Sequence, residues 1–234
     1  MLGLNFNGEE MTKIATHRSS IYGSLAVCLL NPSEENIGKI LGKRNIVKKV
    51  LECVEKLPKT FSFKTIGLLE KLANQIVGLD SLKLKVEYTR LFISSYPKVP
   101  CPPYESVYTT EDRLTMRENT LNVLRFYNRF GLGLVETFNE PPDHIAVELE
   151  FMYFLVSREA EAWKNNDKSE AYRYLEAEKE FLSKHLGVWV SDLHQCVEKH
   201  EKEIVFYRVM LCFLSEFIKE DLEFIETVLK GKKL

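Results

Sequence analysis

Three residues near the middle of the chain have types and a spacing that suit metal chemistry. His144 and Glu148 are four residues apart, so they share one face of a helix, and Asp143 directly precedes them. An imidazole and two carboxylates could bind a divalent metal ion that supports hydrolysis. A complete site needs more ligands, and the chain has no HExxH or ExxH pair. We therefore favour structural roles, in which Asp143 caps the following helix and His144 hydrogen-bonds a loop.

Glu148 raises a separate question, because it lies between Val147 and Leu149 in a strongly apolar helical segment. A buried carboxylate needs a hydrogen-bonding partner, or it takes up a proton. Arg90 is a candidate partner within the protein. Alternatively, Glu148 faces a groove and receives an arginine from a ligand. We favour the internal pair.

The segment CPPYESVY, residues 101–108, combines rigid backbone with aromatic and acidic side chains. Pro102 and Pro103 favour an extended backbone that presents Tyr104 and Glu105 in a defined order. Tyrosine offers contact area at a small entropic cost, and a carboxylate suits bidentate contact with a guanidinium. The same side chains could equally pack the loop onto helices. With no nucleophile–base pair in it, the loop indicates a binding surface rather than an active site.

Several other classes of function have no support in the chain. It contains no glycine-rich phosphate loop and no GxSxG motif, and we predict no catalytic residue, bound metal or cofactor. The balance of 32 basic and 34 acidic residues gives a net charge of −2, which argues against a nucleic-acid partner. The short basic run around Lys43 and Lys48 is typical of a solvated helix end.

The five cysteines occur singly along the sequence. An odd number without a CxxC pair argues against a disulfide framework and against a zinc site. Cys28, Cys53 and Cys212 lie in apolar helical runs and are expected in the core. Cys101 lies in the proline-rich loop and is the candidate for an exposed thiol.

The chain has no pattern of a signal peptide at its N-terminus and no run of about 18 apolar residues, the length that a membrane span needs. We therefore expect a soluble protein without stable membrane insertion, which stays in the compartment where it is made.

Apolar residues recur at three- and four-residue spacing over most of the chain, which predicts helices and almost no strands. The proline-rich segment from Ser94 to Thr109 is predicted to be irregular but ordered. Caps and stops such as Asp80 and Gly131 set the expected boundaries. The sequence predicts one all-α domain over residues 1–234, with roughly ten helices near 11–29, 34–41, 46–54, 66–76, 82–93, 111–130, 144–163, 169–186, 188–199 and 203–229.

Three motifs in this order carry a resemblance to a known family. EYTRLF (87–92), PPYESVY (102–108) and EPPDHIAVELEFM (140–152) resemble the TorD/DmsD/NarJ family of assembly chaperones for molybdenum-containing oxidoreductases. The resemblance implies the all-helical TorD/DmsD-like architecture and a cytoplasmic protein without catalytic activity. It also implies binding to the twin-arginine signal peptide, or leader, of a molybdopterin oxidoreductase precursor. Such a chaperone holds the precursor until its cofactor is inserted and prevents premature export.

The resemblance also implies which residues contact the leader, without specifying the client, the family subgroup or the oligomeric state. The implied surface consists of residues from all three motifs: Tyr88, Leu91, Phe92, Tyr104, Glu105, Ser106, Asp143 and His144. A twin-arginine leader offers two guanidinium groups followed by an apolar stretch. We hypothesise that Glu105 and Asp143 contact the arginines, while aromatic and aliphatic side chains contact the apolar part. The alternatives are a helical metal-binding protein or hydrolase built on Asp143, His144 and Glu148, and a helical adaptor for another partner.

Overall fold

Helices account for most of the chain in a computed structural model that describes residues 6–42, 45–96, 98–110, 115, 118–133, 140–201 and 205–231. These residues contain no β-strand, although Tyr104 and His144 form an isolated antiparallel bridge. The predicted all-α fold is therefore confirmed. The described helices are α1 (Gly8–Leu29), α2 (Glu34–Leu41), α3 (Ile46–Val54), α4 (Ile66–Gln75), α5 (Ser81–Tyr88), α6 (Glu105–Thr109), α7 (Glu118–Asn128), α8 (Ile145–Lys164), α9 (Lys168–Lys184), α10 (Leu186–His200) and α11 (Phe206–Gly231).

Polar side chains that precede the helices explain why several boundaries were predictable. The side chain of Ser33 accepts a hydrogen bond at the start of α2, and that of Asp80 does so at the start of α5, as expected. Asn7 forms a reciprocal capping box with Glu10 at the start of α1. Gly131 follows α7 with φ +71°, a conformation that side chains with a Cβ atom rarely adopt.

Two predicted boundaries differ from the structure. The segment predicted to be irregular up to Thr109 ends in the short helix α6, and the helix predicted up to Ile93 changes at Thr89 to a single π-helical turn. Residues 111–114 and 116–117 of the helix predicted near 111–130 lie outside the described residues, and α7 covers Glu118–Asn128. The first two differences lie at the two ends of the proline-rich loop: the backbone widens to an i→i+5 hydrogen bond before it, and closes into one helical turn after Tyr104.

The helix α8 lies at the centre of the molecule. It packs mainly against α1 and α9, and α11 packs against α9, α10 and α1. The buried apolar residues of α8 fall on several sides of the helix, as expected for a central helix (Ile145, Ala146, Val147, Leu149, Phe151, Met152, Leu155 and Val156). None of the described helices combines the length and the apolar character that crossing a bilayer requires.

A buried arginine joins four of these helices. The guanidinium of Arg18 on α1 donates to Glu159 on α8 at 2.6 Å, to Glu178 on α9 at 2.6 Å, and to both carboxylate oxygens of Asp221 on α11. All four side chains are fully buried. The Tyr22 hydroxyl donates to Asp221 at 2.7 Å and completes this group, which we call the Arg18 cluster.

The Arg18 cluster contains more acidic than basic groups. Burial raises the pKa of the Glu178 carboxyl well above its usual range, and burial also raises the pKa of Glu159, although Arg18 opposes both shifts. The raised pKa favours the protonated form of Glu178, in which it adds no negative charge beside the single guanidinium. Replacing the arginine would leave several buried carboxyl groups without a cation, and such a loss costs about 3–5 kcal/mol.

We predict that Arg18→Gln lowers the free energy of unfolding by about 3 kcal/mol or more, because glutamine cannot neutralise the surrounding carboxylates. Denaturant unfolding followed by circular dichroism measures the change. Arg158→Gln is the matched control: its side chain is 51% exposed and pairs with Glu161, so its effect should stay within about 0.5 kcal/mol. Equal stabilities of the two variants would contradict a central role for the cluster.

Candidate functional site

Two loops that are about 40 residues apart in sequence meet through reciprocal hydrogen bonds. The Glu105 amide donates to the Asp143 carbonyl oxygen at 2.9 Å, and the Ile145 amide donates to the Pro103 carbonyl oxygen at 2.9 Å. The Asp143 carboxylate also accepts from the Ser106 amide at 3.0 Å. We call residues 103–106 and 143–145 the loop junction. It fixes the start of α6 against the start of α8.

His144, rather than Asp143, caps α8. Its Nδ1 accepts from the Ala146 amide at 3.1 Å, so Nδ1 carries no proton. Burial lowers the pKa of His144 to about 3, and the ring is neutral at physiological pH. The predicted role of Asp143 as the cap of α8 is therefore wrong: the antiparallel bridge directs its carboxylate to the first turn of α6 instead.

Acidic side chains collect beneath the loop junction, out of contact with solvent. His185 Nδ1 lies 3.1 Å from a carboxylate oxygen of Glu105, and Trp189 Nε1 donates to Glu148 at 3.2 Å. Burial raises the pKa of Glu148 well above its usual range, and the charge of Glu105 adds to this shift. Among the described residues, one oxygen each of Glu148 and Asp143 has no hydrogen-bond partner. Burial and the charge of Glu105 both favour the protonated, neutral form of the Glu148 carboxyl.

The structure confirms that Glu148 is buried, but the prediction that it pairs with Arg90 is wrong. Arg90 forms an ion pair with Glu201 on the outer side of the π-helical turn, while Trp189 on α10 binds Glu148. The described residues also do not form the alternative metal site on Asp143, His144 and Glu148. Among the described residues, potential ligand atoms come within 4.8 Å of one another at Cys101, Cys196 and His200, and not at Asp143, His144 and Glu148.

The side chains predicted from EYTRLF are buried as well. Tyr88, Leu91 and Phe92 are each at most 5% exposed. The rings of Tyr88 and Phe92 contact Tyr207 of α11, with centroids 5.4 and 5.5 Å away. Glu105 and Ser106 are also buried, together with Asp143 and His144. Most of the predicted leader-binding side chains therefore support the shape of the surface from beneath, and their contact with a leader stays a prediction.

Tyr104 is the predicted residue that reaches the surface. Its ring packs edge-on against His144, with centroids 5.3 Å apart, and its hydroxyl donates to the carboxylate of Glu140 at 3.0 Å. Both Tyr104 and Glu140 are half-buried. Burial raises the pKa of Tyr104 and keeps the phenol neutral. Glu140 therefore presents a carboxylate at the edge of the loop junction, a role that the sequence analysis missed.

A cleft of about 790 Å³ lies at the other end of α6, between the proline-rich loop and α10. Tyr96, which is 98% exposed, and Val107 contribute apolar surface. Three cationic side chains and one carboxylate also line the cleft: Arg90, Lys98, Lys199 and Asp192. The cleft is therefore partly apolar with a positive rim, and it is open enough for an extended peptide segment.

A disulfide between Cys101 and Cys196 joins the proline-rich loop to α10 beside this cleft. The cysteine count argued against a disulfide framework, yet one disulfide forms, and Cys101 is buried rather than an exposed thiol. The partners are 95 residues apart in sequence, so their proximity depends on the tertiary fold. Cys28 and Cys53 are free and buried as predicted, while the free Cys212 is only partly buried.

Residues 62–195 match the family model described as the nitrate reductase delta subunit. The chain belongs to the TorD/DmsD/NarJ family. Among family relatives, the perchlorate reductase assembly chaperone protein of Dechloromonas aromatica is 29% identical over 213 residues, 88% of each chain. The chaperone protein TorD of Aliivibrio fischeri is 28% identical over 162 residues, 68% of this chain and 72% of the relative.

A solved structure extends the family comparison to the fold. A candidate redox enzyme maturation protein from Archaeoglobus fulgidus has a TM-score of 0.50 and 25% sequence identity, and the match covers 97% of this chain and 99% of that one. The resemblance expected from the three motifs is confirmed. The two relatives are named as a chaperone and as an assembly chaperone.

We predict that the neutral state of His144 makes stability depend on pH. Between about pH 6.5 and pH 3 the unfolded chain binds a proton at His144 and the folded chain does not, so stability falls as the pH falls. His144→Asn keeps a capping side chain and removes this titration. Relative to that variant, the original protein should lose about 1.4 kcal/mol per pH unit within this range.

Acid-dependent urea unfolding at several pH values measures this difference. His144→Ala removes the capping side chain and is the control for the cap. It should lower the free energy of unfolding by about 1 kcal/mol at pH 7.5. A constant difference between the original protein and His144→Asn across the range would show that His144 does not titrate with a lowered pKa.

We also predict that reducing the Cys101–Cys196 disulfide lowers the free energy of unfolding by about 2–5 kcal/mol, because the bridge closes a long loop in the unfolded chain. Guanidinium unfolding with and without a reductant measures the loss. Cys101→Ser should match the reduced protein, whereas Cys212→Ser should respond to the reductant as the original protein does. Unfolding at the same guanidinium concentration in both conditions would contradict the bridge.

Proposed function

We propose that this chain is a cytoplasmic assembly chaperone, acting as one domain, that binds the twin-arginine leader of a precursor. The client is an oxidoreductase that contains a molybdenum cofactor. The chaperone holds the precursor until the cofactor is inserted and so prevents premature export. Relatives named for perchlorate, selenate and chlorate reductase support a reductase client. The observation that most supports this proposal is the loop junction, which joins two family motifs beside an open cleft.

The burial of Glu105 and Asp143 favours a contact with the arginines other than the one inferred from sequence. Glu105 and Asp143 are at most 3% exposed and already accept hydrogen bonds within the protein, so a leader could reach them only by separating the loop junction. Glu140 needs no such rearrangement, because it is half-buried at the edge of the junction. We assign the guanidinium contact to Glu140, with Tyr104 holding its carboxylate in place.

The apolar part of the leader would then occupy the cleft. Tyr104 and Tyr108 lie at opposite ends of α6, about 6 Å apart along the helix axis, and Tyr108 lines the cleft. A short extended segment can therefore pass from Glu140 to the cleft. Arg90 is paired with Glu201, but the ammonium groups of Lys98 and Lys199 repel arginines from the cleft and favour this orientation of the peptide.

Calorimetric titration with a twin-arginine leader peptide from a neighbouring oxidoreductase gene tests the proposal. We predict micromolar or tighter binding, weaker by about tenfold or more for Glu140→Gln because a charge-assisted hydrogen bond contributes roughly 1.5–3 kcal/mol. A double-lysine peptide should also bind more weakly, since lysine cannot make the bidentate contact. Glu70→Gln, an exposed position on α4, is the matched control and should bind normally.

The possible failures are distinguishable. No binding of either peptide by folded protein would reject leader recognition. Normal binding by Glu140→Gln would keep the chaperone and move the arginine contact elsewhere. Equal affinity for the two peptides would place recognition in the apolar stretch.

A further inference from the structure

A sulfur and imidazole cluster lies on the wall of the cleft. The Cys101 and Cys196 sulfur atoms and a ring nitrogen of His200 all lie within 4.8 Å of one another. Cys196 and His200 are four residues apart on α10 and therefore share one helix face, while Cys101 comes from the proline-rich loop. Two elements that are distant in sequence thus bring three good metal ligands to one point. The spacing of Cys196 and His200 was the signal available in the sequence.

Reduction would let the two sulfur atoms move from bonding distance to van der Waals distance by rotation of the side chains, while the Cα atoms stay 5.8 Å apart. A dithiol reductant supplies two electrons and two protons, becomes a disulfide itself, and leaves two thiols at Cys101 and Cys196. The Cys101 amide donates to the Leu91 carbonyl oxygen at 3.1 Å, and two prolines follow it. Cys196 lies within the regular helix α10. Backbone contacts independent of the S–S bond therefore hold each partner in place.

We propose that, in the reduced protein, Cys101, Cys196 and His200 form a binding site for a thiophilic divalent metal ion such as Zn²⁺. Metal binding and the disulfide exclude each other, because both use the same pair of sulfur atoms. The proposal goes beyond leader recognition and does not depend on it.

The chemistry of the three ligands selects this class of metal. Two thiolates and an imidazole suit Zn²⁺ and similar soft or borderline ions, whereas Mg²⁺ and Ca²⁺ prefer oxygen ligands. Zn²⁺ is commonly tetrahedral, so three protein ligands leave a fourth position for water or a ligand in the cleft. Binding releases the two thiol protons, and two thiolates neutralise the charge of the ion.

The position of His200 allows it to complete the set. Its Nδ1 lies 3.7 Å from the Cys101 sulfur and 2.8 Å from the Cys196 carbonyl oxygen. Coordination through Nδ1 would replace the hydrogen bond to that carbonyl. Because His200 is exposed, its ring can adjust without disturbing the core, and the ion can enter from solvent.

The test compares metal binding by reduced and oxidised protein. The full chain is reduced with a phosphine, freed of reductant without oxygen, and dialysed against Zn²⁺. Elemental analysis should find about one equivalent of zinc per reduced chain and almost none in oxidised protein. Co²⁺ in place of Zn²⁺ should give a sulfur-to-cobalt charge-transfer band in the near ultraviolet. Zinc at well below one equivalent in reduced protein, or equal zinc in both forms, would overturn the proposal.

Substitutions test the individual ligands. Cys196→Ser should abolish the stoichiometric site and the charge-transfer band, and His200→Ala should weaken Zn²⁺ binding at least tenfold. Cys212→Ser, which alters a free cysteine outside the cluster, should bind as the original protein does. Undiminished affinity of His200→Ala, or loss of the site in Cys212→Ser, would overturn the assignment. Circular dichroism confirms folding, and if Cys196→Ser does not fold, His200→Ala and the comparison of redox states decide the question.

Discussion

The arrangement of helices depends on a single buried cation. The guanidinium of Arg18 reaches α8, α9 and α11 from α1, and no apolar side chain could impose the same directions on four helices. Burying charged groups costs free energy, but breaking the cluster would leave buried carboxyl groups without a cation, so the four helices are held in this arrangement. The Arg18 cluster thereby fixes the position of α8, whose first turn begins at the loop junction.

The loop junction converts this fixed helix into a defined surface. His144 caps α8, while Asp143 on the same turn binds the first turn of α6. Residues 143–144 therefore hold the first turns of both α8 and α6 and set the distance between these two helices. In this molecule the acidic and imidazole groups of the family motifs have structural roles, because they hydrogen-bond the backbone. Neighbouring side chains such as Tyr104 and Glu140 reach the surface. A substitution at Asp143 would therefore change the shape of the surface around the loop junction, although Asp143 itself is buried and not part of that surface.

Much of the fold was predictable because its signals are local. Ser33 and Asp80 mark helix starts through hydrogen bonds to residues two or three positions away, and apolar periodicity marks the buried faces. The partners at the site are not local. Glu148 binds Trp189 because α10 crosses α8, and the roles of Asp143 and His144 are exchanged because another loop pairs with them. The spacing of residues within one segment does not show whether Glu148 pairs with Trp189 or Arg90, or whether Asp143 or His144 caps α8.

The proline-rich loop is fixed at two points by different chemistry. At Cys101 it is joined to α10 through sulfur, and from Pro103 onward it is held by backbone hydrogen bonds to residues 143–145. The backbone attachment does not respond to redox conditions, whereas the attachment through sulfur does. Opening the disulfide therefore changes the wall of the cleft while α6 stays anchored to α8. In a reducing cytoplasm the bridge would be open, and a metal ion could restore the link between loop and helix through three ligands. Reduction would therefore alter the cleft proposed for the apolar part of a leader and leave the edge at Glu140, proposed for the arginines, in place.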